Sequence, residues 1–146
     1  MNSAIVDFLL KQNFASICCV DETGKPYCFN CFFAFNVQAC VLFFKSSTAS
    51  YHAGLLNNNA FVSGTVQPDK LNKISIKGIQ FDATVMDTQQ PLVKQSMGAY
   101  LKRHPMAMAI PGKIYALQIN NIKMTDSACG LGKKISWSSN ELIPVL

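Results

Sequence analysis

Residues 73–87, KISIKGIQFDATVMD, constrain the fold more than any other stretch of the chain. Ile74, Ile76, Ile79, Phe81 and Val85 roughly alternate with polar positions, which is the two-residue period of a strand with one face in a core. The run is far longer than an ordinary strand of about five or six residues. Gly78 lies inside it and marks the place for a bend. A long bent strand is what lets a small antiparallel sheet curl and close on itself. Residues 113–124, KIYALQINNIKM, supply a second long strand to pair with it.

The earlier part of the chain supplies the remaining strands. Residues 14–21 and 26–35 read as a hairpin around the turn Glu22-Thr23-Gly24-Lys25. A second turn, Asn36-Val37-Gln38-Ala39, leads into the apolar strand Val41-Leu42-Phe43-Phe44. Three consecutive antiparallel strands of this kind make a meander. Residues 61–67 give another strand, in which Gly64 marks a bulge or a close approach of backbone.

Helices are expected around the sheet rather than inside it. Residues 3–12 place Ile5, Phe8 and Leu9 at helical spacing behind Ser3 as a cap. Residues 90–103 present Leu92, Val93, Met97 and Leu101 and stop before His104-Pro105. The tail after residue 124 reads as a loop carrying Cys129-Gly130-Leu131-Gly132-Lys133-Lys134. The sum is a mainly β fold in one domain, residues 1–146: a small antiparallel barrel with peripheral helices and no internal repeat.

Composition narrows the functional classes. The net charge is +5, but the lysines are scattered, and only Lys102-Arg103 and Lys133-Lys134 are adjacent cations. A nucleic-acid binder gathers its cations on one face, so no nucleic-acid partner is expected. No run is long enough to span a membrane, and no basic region precedes an apolar core at the start, so a cytoplasmic protein is expected. In that reducing setting Cys18, Cys19, Cys28, Cys31 and Cys40, all within apolar runs, are expected to be buried thiols. Cys28 and Cys31 have zinc-like spacing but face opposite sides of a strand and lack a second pair, so no metal is expected.

Residues 40–59 are where chemistry concentrates. The strand Val41-Leu42-Phe43-Phe44 breaks into Lys45-Ser46-Ser47-Thr48-Ala49-Ser50, and residues 50–56, SYHAGLL, continue as a helix. Hydroxyls and a lysine then meet the unpaired N–H groups and the positive dipole end of a helix. Such a place suits a phosphate. A hydroxyl at this position is also an ordinary helix cap, and both readings stand.

The order of elements, with Ser63-Gly64-Thr65-Val66, Lys77-Gly78-Ile79-Gln80-Phe81, Lys123-Met124-Thr125-Asp126 and Gly130-Leu131-Gly132-Lys133-Lys134 followed by Trp137, resembles a known superfamily. It is the pyridoxamine 5'-phosphate oxidase-like, FMN-binding split-barrel superfamily, and the likeness is greatest to its YhbP-like (UPF0306) branch. The resemblance covers nearly the whole chain. It implies a homodimer with FMN at the subunit interface and a flavin-dependent oxidoreductase acting on a small redox substrate. It further implies that Lys45, Ser46, Ser47, Ser50, Tyr51 and His52 surround the FMN phosphate, Tyr51 and His52 standing where an Arg-Lys pair is usual. Lys45 or Lys73 is implied as the compensating cation, Lys73 lying near where a polar residue of the partner subunit usually meets the flavin. Trp137 is implied beside the isoalloxazine, its plainer role being a core or interface anchor. The only arginine, Arg103, falls on an outer helix, so vitamin B6 oxidation is not expected. A non-enzymatic flavin or haem binder is the alternative, with His52 or His104 as the axial ligand, and a barrel without cofactor is a third reading.

Overall fold

The structure, a computed structural model, describes residues 1–129 and 133–142. The chain runs α1 (Ser3–Lys11), β1 (Phe14–Val20), β2 (Pro26–Asn36), β3 (Val41–Ser46), α2 (Tyr51–Asn58), β4 (Phe61–Val66), β5 (Lys77–Val85), α3 (Pro91–Arg103), β6 (Lys113–Asp126) and β7 (Lys134–Ser138). All strand pairs are antiparallel, in the order β3-β2-β1-β4-β5-β6-β7. A further β3–β6 pairing closes six of them into a barrel, with β7 outside on the edge of β6.

The apolar periodicity explains where each strand faces. In β1, Ala15, Ile17 and Cys19 point into the barrel, and Phe33, Leu42, Phe44, Val66, Leu117 and Met124 join them from other strands. β3 has four consecutive apolar residues because both its faces are covered. Leu42 and Phe44 fill the barrel, while Val41 and Phe43 meet Val93 and Tyr100 of α3 on its outside. Burying each such side chain stabilises the fold by about 1.5–3 kcal/mol. Ile5, Phe8 and Leu9 of α1 and Leu55 and Leu56 of α2 extend the interior core.

Gly64 is a close approach rather than a bulge. It pairs with Ile17 on one side and Phe81 on the other. A Cβ there would lie 2.7 Å from the Ser16 carbonyl oxygen and 2.5 Å from the Phe81 ring.

Several expectations are corrected. The long strand starts at Lys77, not residue 73, because the Asn72 side chain accepts from the Ile74 N–H at 2.9 Å and holds a local turn. Ile76 is instead tied to Ser127, donating its N–H to Oγ and accepting from the Ser127 N–H. The irregularity in β5 falls at Asp82/Ala83, not at Gly78. α1 is capped by Asn2, whose side chain accepts from the Ala4 N–H, and Ser3 is its first helical residue. The tail contains a strand, β7, with Trp137 opposite Ile122. Its Gly130-Leu131-Gly132 segment lies outside the described residues. Cys18 and Cys28 are not separate thiols: the hairpin register sets them opposite each other, Cα atoms 4.2 Å apart, joined by a disulfide. Cys19, Cys31 and Cys40 are free and buried. No helix among the described residues is long and apolar enough to cross a membrane.

Candidate functional site

β2 changes partner partway along its length. Residues 26–32 pair with β1 and residues 33–36 with β3, while β3 continues along β6 as far as the Ser46–Lys113 pair. Beyond the Phe33–Phe44 pair β2 and β3 therefore part, and a cleft of about 590 Å³ opens in the fork. One wall is Phe29, Asn30, Cys31 and Phe32 of β2; the other is Lys45, Ser46 and Ser47. His52 of α2 lies at one end, and Tyr100, Arg103 and His104 at the end of α3 lie at the other.

Parting strands leave backbone groups to satisfy, and α3 supplies the partners. The Tyr100 hydroxyl donates to the Phe32 carbonyl at 3.2 Å, and His104 Nε2 donates to the Phe33 carbonyl at 2.6 Å. A carbonyl only accepts, so His104 carries its proton on Nε2. Arg103 Nη2 donates to the Gln12 carbonyl at the C-terminal end of α1, at 2.6 Å. Lys45 Nζ donates to the Ala107 carbonyl at 2.8 Å, in the short turn Pro105–Ala109. Gly112, at φ +153°, lies flat against this wall; a Cβ would sit 2.7 Å from the Ser46 carbonyl oxygen.

The serine turn is a connected network. Ser50 caps α2, accepting from the Ala53 N–H and donating its own proton to the Ser47 carbonyl at 2.8 Å. Its 3.0 Å contact with His52 Nε2 must then be a bond that Ser50 accepts, which puts the imidazole proton on Nε2. Ser46 Oγ, 2.6 Å from the same nitrogen, shares that proton. The Ser46 hydroxyl hydrogen is then directed at Ser50 Oγ, 3.5 Å away, a long contact that a closer acceptor can replace. The His52 ring stacks on Phe29 at 3.8 Å with 9° between planes.

Burial pushes the His52 pKa below its ordinary 6.5. A depressed folded-state pKa means the unfolded chain binds the proton more readily, so the stability from neutral His52 is present above pH 6.5 and lost as pH falls below it. An NMR titration of the His52 ring is expected to show a midpoint below 6.5, and His52→Gln is expected to flatten the fall in urea midpoint between pH 7 and pH 5. A midpoint at or above 6.5 contradicts this.

Of the eight residues singled out from sequence, the cleft gathers Lys45, Ser46, Ser47 and His52. Ser50 supports the turn as the cap of α2. Tyr51 stands 60% exposed against the edge of the Tyr27 ring and does not line the cleft. Lys73 is exposed on the loop between β4 and β5, away from the cleft. Trp137 is 5% exposed in the barrel core and does not line the cleft either. Arg103, set aside in sequence as an outer-helix residue, reaches the cleft, as do Phe14, Phe29, Phe32 and Tyr100. The signal for Arg103 was its position at the last turn of a helix ending before a proline, but no periodicity shows which strands that end meets.

This fold, a six-stranded closed barrel whose β2 and β3 split apart, is the pyridoxamine 5'-phosphate oxidase-like split barrel. A haem-binding protein from Mycobacterium smegmatis superposes with a TM-score of 0.77 at 10% identity, covering 91% of this chain and 55% of that one. This chain thus spans about half the length of that protein. A FAD-binding protein from Mesorhizobium loti gives 0.69 at 16% identity, over 86% and 94% of the two chains. HutZ, a haem storage protein from Vibrio cholerae, gives 0.64 at 19% identity, over 82% and 89%. Likeness at such identity defines the fold class alone. No family model matches the sequence. Whole-chain relatives do: a UPF0306 protein of Photorhabdus laumondii is 33% identical over 131 residues, 89% of this chain and 90% of the relative. The UPF0306 protein YhbP of Salmonella paratyphi A is 30% identical over 135 residues, 92% and 91% of the two chains. The chain belongs to the UPF0306 family.

Proposed function

We propose that the protein binds FMN in the fork between β2 and β3, as a homodimer, and acts as a flavin-dependent oxidoreductase on a small substrate. One observation carries this reading. The cleft presents Lys45, the Ser46 hydroxyl and the N-terminal end of α2 along one wall and flat apolar rings along the other, with no carboxylate among its described lining residues. A phosphate dianion fits the first set, since charge-assisted bonds from an ammonium and a hydroxyl are its strongest partners. A planar ring system fits the second.

FMN, when bound, supplies the redox chemistry; the chain supplies position and electrostatics. Lys45 and Ser46 hold the phosphate, Phe29 flanks the ring, and neutral His52 orients Ser46. Lys45 carries the positive charge that an Arg-Lys pair would otherwise provide. The apolar side chains exposed on the rim, Met106 and Ile110, support burial against a second copy. Solved structures of the same fold are named for FAD and for haem binding, which supports a flavin and keeps haem as the second reading. His52 and His104 both reach the cleft, but each already uses Nε2, so a haem iron would have to take Nδ1.

Spectra of the purified protein, and of protein titrated with FMN, riboflavin and haem, test this. Flavin bands and tighter binding of FMN than riboflavin are expected, with a dimer mass by light scattering. A Soret band with no flavin uptake favours haem, and no uptake of either rejects both.

A further inference from the structure

The α3 end of the cleft carries a cation that the phosphate reading does not use. Arg103 Nη2 donates to the Gln12 carbonyl, yet its Nε is buried with no hydrogen-bond partner. No carboxylate among the described residues pairs with it. The acidic side chain held in the same region, Asp69, is engaged by Asn13, accepting from its N–H at 3.1 Å and from its side-chain amide at 2.7 Å. A half-buried guanidinium without a counter-charge is unfavourable until an anion reaches it.

Beside that cation stand two exposed rings. Phe14 and Phe32, 43% and 55% exposed, meet edge to face with centroids 5.1 Å apart. The His104 ring lies 5.5 Å from Phe32 and is pinned by its bond to the Phe33 carbonyl, and all four residues line the cleft. An apolar shelf next to a forked, uncompensated cation matches a flat apolar body bearing one carboxylate, because guanidinium and carboxylate bond through two parallel N–H groups.

We propose that Phe14, Phe32 and Arg103 form a second subsite for an aromatic carboxylate, separate from the Lys45–Ser46 phosphate wall. The assignment deepens the flavin reading by naming a class of ligand held beside the flavin, and it rests on that reading only for that placement. The binding itself requires no flavin.

Calorimetric titration of the flavin-free protein with benzoate, acetate and benzyl alcohol tests it. Benzoate is expected to bind with a Kd of about 1 mM or tighter. Acetate, lacking the ring, and benzyl alcohol, lacking the charge, are each expected to bind at least about 10-fold more weakly. Arg103→Met is expected to weaken benzoate about 10-fold or more, and Arg103→Lys less, since lysine keeps the charge but not the fork. Should Arg103→Met not fold, Phe32→Ala, at an exposed position, is expected to weaken benzoate while leaving acetate unchanged. Benzoate shifts in an NMR titration are expected at Phe14, Phe32 and His104. Arg103→Met that lowers Tm but leaves benzoate binding intact makes the guanidinium a cap of α1 only and overturns the proposal, as does absent benzoate binding. Failure to take up FMN with benzoate binding preserved rejects the flavin reading alone; the converse rejects the subsite alone.

Discussion

Lys45→Met is expected to lower the affinity for FMN about 10- to 100-fold while changing the affinity for riboflavin by no more than about threefold. The two ligands differ only by the phosphate, so the ratio isolates that group from ring packing. Among the described residues Lys45 is the one lysine lining the cleft, and its ammonium uses one of three donors on the Ala107 carbonyl. Hydrogen bonds to a charged group are worth about 1.5–3 kcal/mol, which sets the range. His52 adds no charge at neutral pH because burial holds it neutral. Methionine keeps the stem that packs along the cleft, so Tm is expected to move little. Adding Ser46→Ala is expected to weaken FMN by roughly another threefold to tenfold. Ser50→Ala is a poor choice for this purpose, since it also removes the cap of α2. Equal losses for FMN and riboflavin would show that the phosphate is held elsewhere.

The contrast between Lys45 and Trp137 shows which parts of this protein its sequence makes legible. Strand periodicity is a local property, so β1, β2, β3, β4 and β6 could be read within about two residues from which positions alternate. The strand-turn-helix at residues 40–59 could be read for the same reason, and it holds the sequence-selected residues that the cleft gathers, Lys45, Ser46, Ser47 and His52. The fork could not, because it depends on β2 pairing with β1 over one half and β3 over the other, a choice no single segment encodes. Arg103 and His104 were invisible as cleft residues on the same account: their role is to meet carbonyls that only the fork leaves open. The Cys18–Cys28 pairing follows from the hairpin register, which the Gly24 turn hinted at but which buried-thiol statistics overrode. β7 did carry a signal, since Lys134-Ile135-Ser136-Trp137-Ser138 alternates cleanly. Read as strand, that segment turns Trp137 inward toward Ile122. At residues 73–76 the same alternation misled, because Ile74 and Ile76 alternate in sequence yet stay exposed on a loop fixed by Asn72 and Ser127.

Gly64→Ala is expected to be the most damaging single methyl that can be added to the barrel. Gly64 lies in β4 between Ile17 and Phe81, and the new Cβ would meet three atoms inside 3.0 Å. The Phe81 ring, 6% exposed and packed in the core, has little room to turn away. The Ser16 carbonyl oxygen at 2.7 Å belongs to the backbone of β1 and can move only if the β1–β4 register moves with it. Overpacking of a tight core typically costs about 1–3 kcal/mol, and a clash with paired backbone places this site at the upper end. For a chain of this length about 3 kcal/mol corresponds to a fall in Tm of roughly 6–12 °C, readable by calorimetry. Gly54→Ala is the control that separates the clash from loss of glycine itself. Gly54 sits on the exposed face of α2 with nothing within 4 Å of its would-be Cβ, and alanine there is expected to add about 0.5–1 kcal/mol through helix propensity. The two substitutions are chemically identical and should move Tm in opposite directions. A Gly64→Ala protein as stable as its parent would mean that β1 and β4 do not approach each other as this barrel requires, and the closed sheet that positions the fork would have to be redrawn.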